Sequence, residues 1–264
     1  MARRGLCKLC GTEGPLQRSH VRLPAFVYKR LRQQGADNEN PVQISGLGMV
    51  QTSRQDTRYL LCGNCENRFS RLGERWVSQV CLQDNNTSFP LLDLLRQCEH
   101  DVLAGDTAAF YAAHNTAINY GALEYFAASM VWRAQYDAEH GEKAFSLHRY
   151  ENQFRRFLLG VGTFPRFVSL QVFIRYRSNM TQLSHGVHPR YGATASYFTF
   201  SIPGLTFTLI VGEFREVGII QTSFVENVLR PVFDMDIIDE VNHEQMTRVL
   251  DHARKNGRRS RLKE

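Results

Sequence analysis

The sequence has no apolar run approaching the roughly 20 residues needed to cross a bilayer. Its greasiest stretches, around Ala127 to Trp132 and Phe207 to Val211, are far shorter. No membrane association is therefore expected. The basic start, Met1-Ala2-Arg3-Arg4-Gly5, leads into Cys7 and Cys10 rather than an apolar segment, so no secretory signal is read and a cytoplasmic location is expected. Six cysteines in 264 residues are too few for a disulfide scaffold. Internal repeats, a Walker-type Gly-rich loop and a Ser nucleophile elbow are all missing, which removes the commonest nucleotide-binding and esterase signatures. With 43% hydrophobic and 22% charged residues, the chain can build a packed core, and wholesale disorder is excluded.

What is present is unevenly distributed. The net charge is +6, yet residues 1–33 carry eight Lys or Arg against Glu13 alone, and residues 253–264 carry six against Glu264 alone. The middle is acidic. Basic ends around an acidic centre suit localised contact with a polyanion, although each basic stretch can equally be a solvated face.

Four of the cysteines form two C-x-x-C pairs, Cys7/Cys10 and Cys62/Cys65. Each such loop presents two sulfurs from a tight turn, and two loops together supply the four soft ligands of a tetrahedral structural zinc. Cys81 and Cys98 stand alone and read as buried helix residues. Between the pairs, Leu16 to Leu23 reads as a strand ending at Pro24, and a short basic helix follows with Phe26, Val27, Lys29, Arg30 and Leu31. Gly35 to Pro41 reads as a loop, and Met49 to Leu61 as a return strand. Phe69, Leu72, Trp76 and Val80 recur at helical spacing, which starts an amphipathic helix near Cys65, weakened at Gly73.

His20 sits at the end of the first strand, among Arg18, Arg22, Lys29 and Arg30. A neutral imidazole there can take a proton from water, and the arginines and lysine suit a phosphate backbone. A surface histidine bonded to its own loop is the plainer alternative.

The series Cys7-x-x-Cys10, Ser19-His20-Val21-x-x-Pro24 and Leu60-Leu61-Cys62-x-x-Cys65-Glu66-Asn67-Arg68 resembles the zinc-knuckle form of the HNH endonuclease family, the ββα-metal nucleases, over about the first 80 residues. The resemblance implies that His20 is the general base. It places Asp56 or Thr57 near the family's middle Asn, and Glu66 where a helix His binds the catalytic metal. Glu66 with Asp56 would then hold Mg²⁺ or Mn²⁺. Ser19 stands where the family has an acidic or histidine ligand, a departure from the pattern.

The expected fold class is α+β: a small zinc-bound ββα module over residues 1–83, an α+β domain over 84–252 made of a helical block followed by an antiparallel β-sheet, and a basic flexible tail over 253–264. In the second part, Leu91 to Leu103, Ala122 to Tyr136 and Phe145 to Leu159 read as helices, with Gly160 as a stop. From Val168 the period becomes two, Pro203-Gly204 marks a hairpin turn, Val217 to Gln221 suits a further strand, and Glu240 to Ala253 a closing helix. His185, His188 and Arg190 read as a loop cluster, and Arg133, on an apolar helix, must pair or snorkel. The expected function is a metal-dependent endonuclease acting on nucleic acid, DNA above all, in bacterial defence against foreign DNA; a protein partner is expected through the second domain. The alternative is a non-catalytic zinc-binding, nucleic-acid-binding or complex-forming subunit.

Overall fold

Helix α5, Tyr120–Ala134, is the axis on which the fold is assembled. The computed structural model describes residues 3–33, 40–45, 48–83, 88–102, 108–111, 115–137, 144–174, 184–212 and 231–234. Asn119 caps α5 by accepting from the Ala122 amide at 2.9 Å, and every residue from Ala122 to Ala134 is buried. A helix buried on every face, with Glu124, Ser129 and Arg133 as the polar residues of that stretch, must be covered on all sides, and both halves of the chain cover it.

The first half is a three-stranded sheet, β1 (Arg4–Leu6), β2 (Glu13–His20) and β5 (Thr57–Cys62), with β2 central and both pairings antiparallel. Helix α1, Ala25–Gln33, follows Pro24 as its sequence predicts. The expected return strand is two elements. Gly48–Gln51 (β4) pairs with Val42–Ser45 (β3) as a separate hairpin, and β5 begins only at Thr57. Thr52 to Asp56 is polar without apolar alternation, so it has no face to lay on a core.

After β5 the chain turns directly into α2 (Gly63–Phe69), a π-helical turn (Ser70–Glu74) and α3 (Arg75–Val80). Gly73 in that turn explains itself. A Cβ there would lie 2.9 Å from the backbone Cα and N of Phe126, so only glycine lets this helix approach α5 so closely.

In the second half, α4 stops at Leu95 (Pro90–Leu95) rather than continuing to Leu103. Arg96 to Asp101 offers no apolar stripe, and Glu99–Val102 (β6) pairs with Ala108–Tyr111 (β7) instead. A 3₁₀ turn at His148–Tyr150 leads into α6, Glu151–Leu158, and Gly160 at φ +73° ends it as expected.

The large sheet has the order β6-β7-β12-β8-β11-β10-β9. Its period-two core is β8 (Val168–Ile174), β10 (Ala195–Ile202) and β11 (Leu205–Gly212). Pro203-Gly204 is the tight turn between the last two, with Gly204 at φ +76°. The sheet is mixed rather than purely antiparallel as expected, because β12 (Pro231–Asp234) lies parallel to β8. His185, His188 and Arg190 are on a strand, β9 (His185–Tyr191), whose edge position accommodates Pro189. The expected strand at 217–221, the helix at 240–253 and the tail lie outside the described residues.

Taken together, the described chain is α+β, and its two halves share one apolar core. Phe69 of α2 meets Tyr125 and Trp132 of α5 edge-on at 6.0 and 6.2 Å, and Phe26 of α1 meets Phe126 at 6.2 Å. Arg133 is 2% exposed, pairs with Glu74 and lies 5.2 Å over the Phe69 ring, so it pairs rather than snorkels.

Candidate metal centre and basic cleft

Cys7 and Cys10 lie in the turn between β1 and β2, Cys62 ends β5, and Cys65 is in the first turn of α2. Backbone bonds shape the first knuckle: the Cys7 amide donates to Thr12 O, the Gly11 amide to Cys7 O, and the Lys8 amide to Leu60 O across the sheet. Arg155 of α6 reaches 2.5 Å to Leu9 O and fixes the knuckle from the other half of the chain. All four sulfurs lie within 4.8 Å of one another, with Cys10 and Cys62 at 3.8 Å. Thiolates about 2.3 Å from a tetrahedral zinc are spaced roughly 3.8 Å apart.

The electrostatics agree with the geometry. Burial, with the charge of Cys7, pushes the Cys65 thiol up, while Cys10, despite some burial, is lowered to about 6 by hydrogen bonds from Thr12. Four thiolates this close repel one another unless a cation sits between them. The cluster can therefore hold a soft or borderline metal ion such as zinc. Among the described residues it alone gathers three or more Cys, His, Asp or Glu ligands.

A second feature lies where β2 and β5 meet the polar segment before β5. Arg18, His20, Ser53, Arg54, Gln55, Asp56, Thr57 and Arg58 line a cleft of about 520 Å³. His20 pairs in register with Thr57, its Nε2 lies 2.6 Å from Gln55 Oε1, and its ring lies 5.7 Å from Tyr28. A neutral His20 that donates from Nε2 to Gln55 keeps Nδ1 as its acceptor.

The side-chain phase of β2 decides what reaches this cleft. A register shift between Gln17 and Arg18 interrupts the alternation, so Gly14, Leu16 and Ser19 face inward while Arg18 faces out. Ser19 is 1% exposed, and its hydroxyl has no hydrogen-bond partner among the described residues. It cannot serve a ligand in the cleft.

A smaller cavity of about 200 Å³ adjoins, lined by Arg22, Gln43, Arg54, Asp56, Arg58 and Asp137. Arg54, Asp56 and Arg58 line both. Arg22 pairs with Asp137 at 2.5 Å and with Asp56 at 3.5 Å. Burial works against its charge, but the bond and charge of Asp137 hold its pKa above the usual value.

The structure thus brings His20, Asp56 and Arg18 into one cleft, with Arg22 beside it. Lys29 is exposed on α1 and lines neither cavity. Arg30 ties α1 to the end of α3, donating to Leu82 O, Ser78 O and Gln83 Oε1. Glu66 is half-buried on α2, outside both cavities, with one carboxylate oxygen that lacks a hydrogen-bond partner among the described residues. Asp56 already has the Arg22 guanidinium as its cation. Asp56 and Glu66 therefore do not present a joint ligand set for Mg²⁺ or Mn²⁺ in this cleft.

Arg54, Gln55, Arg58 and Asp137 are not among the expected site residues. The first three lie within two residues of Asp56 in sequence, a local signal that could have found them. Asp137 arrives from the far end of α5, with no local signal at all. No protein-family model, curated protein or solved structure matches the chain.

Proposed function

We propose that this chain is a zinc-stabilised, HNH-type endonuclease whose basic cleft takes a nucleic-acid phosphodiester. The observation that carries the reading is His20, held by Gln55 at 2.6 Å and opening onto a cleft with Arg18, Arg54 and Arg58. The motif order and the antiparallel β2/β5 pair followed by α2 are what the HNH resemblance implies. Zinc on Cys7, Cys10, Cys62 and Cys65 is structural: it clips the turn after β1 to the start of α2 and so sets where β5 delivers the cleft.

In the reaction, His20 Nδ1 takes a proton from water, the resulting hydroxide attacks phosphorus, and the bridging P–O bond breaks. The leaving oxygen takes a proton from solvent. Arg18, Arg54 and Arg58 stabilise the extra negative charge on the phosphorane-like transition state. A cytoplasmic role in bacterial defence against foreign DNA accompanies the family resemblance.

A second reading has its own support. Ser19 is turned into the core and Asp56 is occupied by Arg22, which favours a non-catalytic zinc-binding subunit that holds nucleic acid or a protein complex. Plasmid DNA incubated with the zinc-loaded protein, with Mg²⁺, with Mn²⁺ or with neither, separates the two. Nicking abolished by His20→Ala supports the enzyme. Nicking unchanged by that substitution, or absent throughout while DNA is still bound, leaves the binding subunit.

A further inference from the structure

Hairpin β3–β4 stands apart from both sheets as a two-stranded unit. Val42 is 57% exposed and Val50 is 62% exposed, and the register places them on opposite faces, Val42 with Gln51 and Val50 with Gln43. An isolated two-stranded ribbon is marginal in water unless something covers it. The segment from Val42 to Ser53 contains no charged residue, yet it borders a groove lined by arginines: Gln43 lines the smaller cavity, and Ser53 and Arg54 follow the hairpin into the larger one. Arg54 lines both cavities, and no hydrogen bond or ion pair engages its guanidinium among the described residues.

From this juxtaposition we infer that the hairpin is a base-contacting ribbon for B-form duplex DNA, whose phosphates lie on Arg18, Arg54 and Arg58 while the Gln43/Val50 face enters the major groove. The inference rests on the nucleic-acid reading of the same cleft and adds the duplex form and the reading element. Charge divides the labour. Arginines suit phosphates and carry no sequence information, whereas amide and apolar side chains suit base edges, glutamine to adenine and an aliphatic group to the thymine methyl. The B-form major groove admits a two-stranded ribbon; the A-form groove of duplex RNA is too deep and narrow for one. That difference selects DNA over RNA.

The test is anisotropy of the full zinc-loaded chain with labelled duplexes of about 20 base pairs, DNA and RNA of matched sequence, without added divalent metal, across a salt series. DNA is expected to bind roughly tenfold more tightly than RNA. Arg54→Ala lowers the slope of log affinity against log salt by about one. The Gln43→Ala/Val50→Ser double variant keeps that slope but flattens the preference among DNA duplexes selected from a random pool. Gln43→Glu, of the same shape, weakens DNA binding roughly tenfold by bringing a negative charge to the groove.

Equal or tighter binding of RNA overturns the inference, as does a base preference untouched by both hairpin variants. Binding that behaves as expected without any cleavage removes the nuclease reading alone. Cleavage with an inert hairpin removes the ribbon alone.

Discussion

Arg22, two residues beyond β2, and Asp137, beyond the end of α5, are joined Nε to Oδ2 at 2.5 Å across 115 residues of sequence. Arg58 donates to the Asp137 carbonyl at 2.9 Å, and Gly186 of β9 lies against the Arg22 side chain, where a Cβ would sit 3.3 Å from the arginine Cβ. The smaller cavity beside the basic cleft is therefore walled by both halves of the chain. One carboxylate from the second half also neutralises much of the positive charge beside the cleft.

Asp137→Asn keeps the shape and removes that charge. The pair is partly exposed, with Arg22 at 46%, so the stability loss is expected to stay within about 1 kcal/mol. Arg22 then loses its closer carboxylate and keeps Asp56 at 3.5 Å; the region gains net positive charge, and affinity for a DNA duplex at low salt should rise. Anisotropy at two salt concentrations checks this; weaker binding would mean that Asp137 positions the arginines more than it neutralises them.

Metal analysis of the purified chain should find about one zinc bound by Cys7, Cys10, Cys62 and Cys65, and a Cys62→Ser/Cys65→Ser variant should lose it. Because Phe69 and Arg155 join the knuckles to α5 and α6, chelation should lower the melting of the described fold as one transition. Two well-separated calorimetric transitions after chelation would show that the halves are energetically independent.

Gly73→Ala places a methyl against the Phe126 backbone. Backbone cannot rotate away as a flexible side chain can, so a loss of roughly 1–3 kcal/mol is expected, although alanine is the better helix former. Denaturant unfolding measures it, and a stabilised variant would contradict the close approach of α5.

Glu74→Ala leaves Arg133 buried without its carboxylate. The expected cost is roughly 3 kcal/mol, since an uncompensated buried charge outweighs a lost surface pair. Replacing both residues together, Glu74→Leu with Arg133→Met, should recover most of it, and a double-mutant cycle in urea reads the coupling.

Local pattern carried a good part of this molecule. Two C-x-x-C pairs converge because each knuckle is a short-range turn whose chemistry is written within four residues, and the structure brings their sulfurs within 4.8 Å. Helix α5, the Gly160 stop and the Pro203-Gly204 hairpin turn were likewise legible, since capping, left-handed glycine and hydrophobic period are properties of neighbouring residues. Tertiary structure alone decided the rest. The shift at Gln17/Arg18 reversed the phase of β2 and turned Ser19 inward; a bulge is a matter of pairing with β5, which no alternation within β2 reveals. Strand β9 is a sheet edge made by β10, which follows it closely in sequence, and β12 is parallel to the distant β8; in both, hydrogen bonding to a partner strand overrides a polar or proline-containing sequence. Asp137 reached Arg22 only because α5 is buried on every side and packs against both halves. A contact spanning 115 residues depends on where the helix ends in space, which sequence neighbours do not encode.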